Sequence, residues 1–195
     1  MIPQLNILNQ IYSLYDKFTE NFDIECKKGC SHCCTCNVTV TTIEAYKIID
    51  YLIKEDKLKL LSGLSTSQKR FLPKITINQF AELCINDGEI PEEENNPDWG
   101  NCAFLSDDIC SIYELRPFAC RCMLSEKQCG EKGYAFMNPF ILTVNNVFQQ
   151  YIEHLDQNGY FGNIADILTL LSDSETRADY MKNNLKSDSA PLISN

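Results

Sequence analysis

Apolar residues recur at helical spacing along several stretches of this chain, and the pattern predicts a mainly helical protein. In residues 4–19 the apolar positions lie on one face of an amphipathic helix. That expected face contains Ile7, Leu8, Ile11, Leu14, Tyr15 and Phe18. A second helix is expected directly after Thr41, because Thr41 and Glu44 have the spacing of a capping box. Its apolar stripe contains Ala45, Ile48, Ile49, Leu52 and Ile53.

The C-terminal third repeats this helical pattern. Asn138 and Pro139 are residue types favoured at the N-cap and at the first helical position, so they predict a helix start. We expect Gly159 to end this helix. Its predicted face contains Ile141, Val144, Phe148, Tyr151, Ile152 and Leu155. A further helix is predicted from the spacing of Ile164, Ile167, Leu168 and Leu171.

The middle of the chain is predicted to be less regular. Residues 37–40 suit a short extended segment, and residues 57–84 suit one or two helices interrupted near Gly63 and Pro73. Residues 86–101 contain six acids and no lysine or arginine, which predicts a solvated loop. Residues 102–112 predict a β-hairpin turning at Ser106–Asp108 that brings Cys102 and Cys110 close together.

Length and charge narrow the function classes. The 195 residues suit one domain, which we expect over residues 1–185, followed by a flexible tail over 186–195. A net charge of −10 argues against nucleic acid or an anionic membrane as a partner. The small basic group Lys69, Arg70 and Lys74 is expected to be a solvated helix face. The N-terminus lacks the basic start of a signal peptide, and no apolar run could cross a bilayer, so we expect a cytoplasmic protein.

The cysteines are the strongest chemical signal. The chain has 11, and ten of them fall into two groups. The first group is Cys26, Cys30, Cys33, Cys34 and Cys36, and the second is Cys102, Cys110, Cys120, Cys122 and Cys129. The odd number and a reducing compartment argue against a closed set of disulfides. The lone Cys84 is expected to be buried as a small hydrophobic residue.

Clustered thiols suit metal binding. Cys26, Cys30 and Cys33 have i, i+4, i+7 spacing, which places thiols on one side of a helical turn or a tight loop. Thiolates are the usual donors for zinc and for iron–sulfur clusters. Neither group is sufficient alone, so we expect the fold to bring both together, with residues 41–84 packed around the site.

Other interpretations of the same residues have less support in the sequence. The segment "CSHC" at 30–33 is a C-x-x-C motif, but the βαβ context of a thioredoxin-like redox site is missing. His32 could bind zinc, although we expect it to be exposed or to lie outside the ligand set. His154 is expected to be structural.

Two motifs resemble those of a known family. The segments "CKKGCSHCC" at 26–34 and "CAFLSDDICSIYELRPFACR" at 102–121 resemble the CxxCxxCC cysteine-cluster family, described as a zinc- or iron-chelating domain. The first gap is one residue longer than in the family's short name. The resemblance covers residues 26–130 and leaves the C-terminal helices, 138–185, without a motif. It implies eight metal ligands, namely Cys26, Cys30, Cys33, Cys34, Cys102, Cys110, Cys120 and Cys129.

The motif also suggests roles for residues beside the cysteines. Arg116 and Arg121 flank Cys120 and are expected to donate hydrogen bonds to sulfur or to offset the charge of a thiolate site. For Arg116 the ordinary alternative is an ion pair with Glu114. Flagellin lysine N-methylases have a similar cysteine pattern, but this chain lacks a glycine-rich nucleotide loop, so methyl transfer is not inferred.

These observations predict a mainly α fold: a small irregular helical domain with a short β-hairpin, organised around a cysteine-ligated metal centre. The expected function is metal binding: the protein is expected to hold zinc or a 4Fe–4S iron–sulfur cluster. The bound group would serve in metal handling, in electron transfer or in assistance to another enzyme. One alternative is an enzyme with a catalytic metal centre. Another is an interaction module with structural zinc. The ligand spacing fits zinc and iron–sulfur equally well.

Overall fold

A computed structural model describes residues 2–64, 68–129, 135–182 and 193–194. The helices are α1 (Ile2–Thr19), α2 (Thr42–Lys54), α3 (Ile77–Ile85), α4 (Phe118–Arg121), α5 (Pro139–Leu155), α6 (Ile164–Ser172) and α7 (Ser174–Met181). The strands are β1 (Thr39–Thr41), β2 (Leu105–Ser106), β3 (Ile109–Cys110), β4 (Tyr160–Asn163) and β5 (Ile193–Ser194). Short 3₁₀ turns occur at Leu58–Gly63, Pro97–Trp99 and Tyr113–Leu115.

The prediction of a mainly α protein is confirmed, with a small antiparallel sheet added to it. The sheet has the order β1–β4–β5, and Thr41 of β1 lies opposite Phe161 of β4. We did not predict β4, because a four-residue strand is too short to show an alternating pattern. The predicted tail falls mostly outside the described residues, but Ile193 and Ser194 pair with β4.

The core lies where α1, α2, α5 and α6 meet. Its fully buried members include Leu8, Tyr15, Ile43, Ile48, Ile49, Leu52, Ile152, Ile167 and Leu168. Leu14 of α1 and Tyr151 of α5 were expected in this core and are 61% and 64% exposed. On α5 the buried face also includes Asn145 and Gln149, so it is rotated away from Tyr151. The apolar pattern misplaced the face because two of its inner positions are polar.

Local signals in the sequence located several elements correctly. The Thr41 backbone N–H donates to Oε2 of Glu44 over 2.9 Å, as expected for a capping box. Asn138 Oδ1 accepts from the Phe140 N–H over 2.8 Å at the start of α5. The hairpin β2–β3 turns at Asp107 and Asp108, whose φ angles are 50° and 60°.

Two expectations about single residues are wrong. The Lys69–Arg70–Lys74 group is not a helix face. Lys69 and Lys74 are exposed as expected, but the Arg70 side chain is only 9% exposed, with Nε donating to Asp166 Oδ2 over 3.0 Å. A partner 96 positions away leaves no local sequence signal. Cys84 is exposed rather than buried, because α3 contributes no buried residue to the core. Within the described residues, no helix is long and apolar enough to cross a membrane.

A buried acid joins α2 to the end of α5. Asp156 is almost fully buried, and its Oδ2 accepts from the Ile43 N–H over 2.9 Å in the first turn of α2. Its Oδ1 accepts from the Tyr180 hydroxyl over 2.6 Å. Burial raises the pKa of Asp156 to about 7, and these hydrogen bonds oppose that rise. The carboxyl therefore fixes the start of α2 against two other helices.

Asp156 is expected to make stability depend on pH. Its folded-state pKa lies above the ordinary value of about 3.9, so between about pH 4 and pH 7 the folded protein binds a proton that the unfolded chain has lost. The protonated Asp156 carboxyl therefore stabilises the folded state fully below about pH 4, and this contribution is lost as the pH rises through 7. Over that interval the free energy of unfolding falls by up to about 1.4 kcal/mol per pH unit. Urea denaturation at several pH values should show this component in the native protein and not in Asp156→Asn. The exposed Asp23→Asn is the matched control, and an unchanged slope in Asp156→Asn would contradict the prediction.

Candidate metal centre

The two cysteine groups meet at one cavity of about 590 Å³, called here the larger cavity. Seven of the eight cysteines predicted as ligands line it, namely Cys26, Cys30, Cys33, Cys34, Cys102, Cys110 and Cys120. The eighth, Cys129, lies instead on a second cavity, together with Cys26 and Cys30. The fold thus brings together residues from segments about 70 positions apart.

The first cysteine group is presented by a loop of tight turns. The Cys30 N–H donates to the Lys27 carbonyl over 3.0 Å, and the Cys34 N–H donates to the Ser31 carbonyl over 2.9 Å. Gly29 lies inside the first of these turns with φ of 93°, a conformation that favours glycine. The close spacing of these cysteines is therefore realised by turns and not by a continuous helix.

Backbone hydrogen bonds hold the two groups side by side. The Cys102 N–H donates to the Cys34 carbonyl over 2.9 Å, and the Cys36 N–H donates to the Gly100 carbonyl over 2.8 Å. The Ser31 hydroxyl donates to Asp108 of the hairpin turn over 2.6 Å. Because these bonds involve the cysteine residues themselves, the relative position of the two groups is built into the backbone.

The helix that carries Cys120 is fixed by a buried glutamate. Glu44 is 2% exposed, and its Oε1 accepts from the Phe118 N–H at the start of α4 over 2.6 Å. The same oxygen accepts from the Tyr12 hydroxyl over 2.7 Å. The sequence predicted only the capping role of Glu44. The available signal was its position four residues before Ile48, which places an acid on the apolar face of α2.

Two buried asparagines donate hydrogen bonds to the backbone of other cysteine residues. Asn145 accepts from the Tyr15 hydroxyl over 2.6 Å and donates to the Cys122 carbonyl over 3.1 Å. Asn163 donates to the Cys36 carbonyl over 2.9 Å. We did not predict either role, although Asn145 is a polar residue within an apolar helical stripe, which is a recognisable signal.

Burial raises the pKa of several thiols in the larger cavity. It raises the pKa of Cys120 well above its ordinary value, and nearby Cys102, Cys33 and Cys110 raise that pKa further. Burial likewise raises the pKa of Cys102 and of Cys110. The pKa of Cys33 is raised first by its hydrogen bond with Cys34 and then by burial. Several of these thiols would ionise together only beside a positive charge, which a bound metal provides.

The donor chemistry fits a thiolate metal centre, although the side chains do not already converge on one point. Among the described residues, no three His, Cys, Asp or Glu side chains form a group arranged to hold a metal ion. Sulfur donors from both groups nevertheless line the same cavity, and sulfur is the preferred ligand type of zinc and iron–sulfur centres. Binding would require the thiols to lose their protons and to turn toward a common centre.

Both motif arginines line the larger cavity. The Arg116 guanidinium lies 3.7 Å from the centroid of the Tyr113 ring, and its charge lowers the pKa of Cys33 and Cys110 against the raising effects. Arg121 donates to the carbonyls of Arg116 and Glu114, each over 2.9 Å, and pairs with Asp16 at 3.3 Å. Arg116 does not form the alternative ion pair with Glu114. Oε1 of Glu114 lies instead 3.6 Å from Lys28 Nζ.

The remaining cysteines and histidines lie outside the larger cavity. The thiols of Cys36 and Cys122 donate to backbone carbonyls, those of Lys69 and Ala119, each over 3.5 Å. His32 is exposed, as expected, and borders the second cavity. His154 is exposed near the end of α5.

Comparison with known proteins gives one match. A family model named CxxCxxCC and described as "Putative zinc- or iron-chelating domain" matches residues 25–135, which is more than half of the chain. The matched region contains all eight cysteines that the sequence motifs suggested as ligands. Comparisons with curated proteins and with solved structures gave no match.

Proposed function

Because this chain belongs to the CxxCxxCC family of zinc- or iron-chelating domains, we propose that the cysteines of its larger cavity hold the metal centre through which it acts. The observation that supports this proposal is the meeting of seven cysteines, from two distant segments, around one cavity. Buried thiols at close quarters destabilise one another's charged forms, and a bound cation removes that cost.

Four cysteines are the best candidates for the first ligands. Cys33, Cys102 and Cys110 each raise the pKa of Cys120 through the repulsion between their charged forms, so these three thiols lie close to Cys120. They come from both sequence groups, and each lines the larger cavity. Cys34, next to Cys33, supplies a further thiol at the same wall. We propose that the centre is bound by this set.

We propose an iron–sulfur cluster of the 4Fe–4S type as the resident group, with zinc as the alternative. The cavity volume of about 590 Å³ is far more than a single ion requires. Cys33, Cys34, Cys102, Cys110 and Cys120 border this cavity, and these five thiols are enough for the four ligands of such a cluster. When bound, such a cluster supplies one-electron transfer, which suits a role in electron transfer, in metal handling or as an accessory to another enzyme.

The two arginines have different proposed roles. Arg116 offsets negative charge at the sulfurs, because its positive charge lowers the pKa of Cys33 and of Cys110. Arg121 positions the turn before α4, because it donates to the carbonyls of residues 114 and 116. If this division is right, Arg116→Gln will lower the reduction potential of the centre, while Arg116→Lys will keep most of it. Equal potentials in Arg116→Gln and the native protein would contradict the charge role.

Visible spectroscopy on anaerobically purified protein tests the iron–sulfur proposal. We expect broad visible absorption that is bleached by dithionite, because thiolate-to-iron charge transfer depends on the oxidation state of the cluster. A colourless protein with bound zinc would replace the cluster by zinc and keep the metal-binding function. A colourless protein that binds neither metal would contradict the proposal.

A catalytic role of the same centre is the second candidate, and the cavity volume favours it. Pockets of about 300–1,000 Å³ are typical of small-molecule sites, and the larger cavity is within that range. A change in the visible spectrum on adding S-adenosylmethionine would favour an enzyme. An interaction module with structural zinc makes a different prediction, because removing the metal should then unfold the chain. The cytoplasm suits each of these roles, since it keeps thiols reduced.

A further inference from the structure

A second cavity of about 510 Å³ lies beside the larger one, and the two share Cys26 and Cys30. It is also bordered by Cys129 and His32, which the larger cavity does not reach. Cysteines 33, 102, 110 and 120 border only the larger cavity. The donors of the chain are therefore divided between two spaces.

The walls of the second cavity are fastened to each other. The Glu25 N–H donates to the Ser125 carbonyl over 2.9 Å, which joins the segment before Cys26 to the segment before Cys129. The Ser125 hydroxyl, itself buried, donates to the Lys127 carbonyl over 2.6 Å and accepts from the Phe136 N–H over 3.0 Å. Cys129 thus approaches Cys26 on a segment whose backbone is held in place.

We propose that Cys26, Cys30, Cys129 and His32, which border one cavity without yet converging on one point, turn toward a common centre and bind a metal ion of their own, separate from the centre in the larger cavity. Three thiolates and one imidazole form the Cys₃His set of structural zinc sites. Binding of Zn²⁺ releases the three thiol protons and leaves the site with one net negative charge. Lys27, Lys28 and Lys127 border the same cavity, and their positive charges favour that product.

The proposal rests on the proposed function only in treating Cys26, Cys30 and Cys129 as metal ligands. It leaves Cys33, Cys34, Cys102, Cys110 and Cys120 for the larger cavity. Five thiols are enough for the four ligands of an iron–sulfur cluster. Eight family cysteines and one histidine then serve two centres without a shortage of donors.

His32→Ala tests the site with little risk to folding, because His32 is exposed. We expect the affinity for Co²⁺, used as a spectroscopic substitute for zinc, to fall at least about tenfold, the loss caused by removing even an outer partner of a ligand. The visible bands of bound Co²⁺ should also change. His154→Ala, which removes the other histidine of the chain, should leave both unchanged. Identical Co²⁺ titrations and spectra for His32→Ala and the native protein would overturn the assignment of His32.

Elemental analysis of two cysteine variants separates the centres. Cys26→Ser/Cys129→Ser should lose one zinc per chain and keep the metal of the larger cavity, while Cys102→Ser/Cys120→Ser should do the reverse. Loss of all metal in both folded variants would mean one shared centre and would overturn this inference but not the proposed function. A third outcome is that zinc is the only metal in the native protein and is lost only from Cys26→Ser/Cys129→Ser. That result would support this site and contradict the proposed function. Circular dichroism verifies folding, and the His32→Ala titration decides the case if a double variant unfolds.

Discussion

Serine at positions 30, 33, 102 and 120 together is expected to abolish metal binding in the larger cavity and to weaken it in the second. The four substitutions remove thiols from both cysteine groups and from the walls of both cavities. Serine keeps the size of the side chain, but its hydroxyl is not an effective ligand for zinc or for iron–sulfur clusters. Elemental analysis should find the metal of the larger cavity at background in this variant, while zinc in the second cavity should be bound at least about tenfold more weakly.

The exposed Cys84 provides the matched control for this experiment. Cys84→Ser makes the same chemical change outside both cavities, so metal content should stay at the native level. The helices of the quadruple variant should persist, because most members of the core, such as Ile48 and Ile167, lie in α1, α2, α5 and α6. Full retention of metal in the quadruple variant would contradict the assignment of these cysteines.

Replacing Glu44 by alanine is expected to cause the largest loss of stability among single substitutions considered for this fold. Its carboxylate accepts from the N–H groups of Phe118 and Thr41 and from the Tyr12 hydroxyl. In Glu44→Ala these buried donors lose their partner, and each costs about 1–3 kcal/mol. We therefore expect the free energy of unfolding to fall by roughly 3–5 kcal/mol in urea denaturation.

The same substitution should loosen the metal site, since Glu44 fixes the start of α4 and hence Cys120. Metal should be lost to a competing chelator at least about tenfold more readily, as for other residues that orient a ligand. Glu82→Ala, at an exposed position on α3, is the control and should change neither stability nor metal retention. Equal stability of Glu44→Ala and Glu82→Ala would show that the buried carboxylate contributes nothing.

Local features of this fold could be predicted from the sequence because their causes lie within a few residues. The Thr41 and Asn138 helix starts and the Asp107–Asp108 turn are of this kind. The meeting of the two cysteine groups was predicted by chemistry, since neither group alone supplies a complete site. The larger cavity agrees with that argument for seven cysteines, whereas Cys129 borders a different space.

Features that depend on distant partners were not predictable. The Arg70–Asp166 pair joins residues 96 positions apart, and the Glu44–Phe118 bond joins residues 74 apart. In neither pair does the sequence around one residue indicate the other, since an arginine or a glutamate side chain is usually solvated. The exposure of Cys84 depends likewise on how α3 packs, which its own residues do not determine.

Elemental analysis of iron, zinc and acid-labile sulfide per chain, after strictly anaerobic purification, decides whether these cysteines hold a metal centre and of which kind. We expect iron with a matching amount of sulfide from the larger cavity, together with one zinc from the second. Two zinc ions per chain without sulfide would keep a metal centre in the larger cavity and exclude the iron–sulfur cluster. A folded protein with neither metal and with all 11 thiols free would contradict the claim that these cysteines form a metal centre.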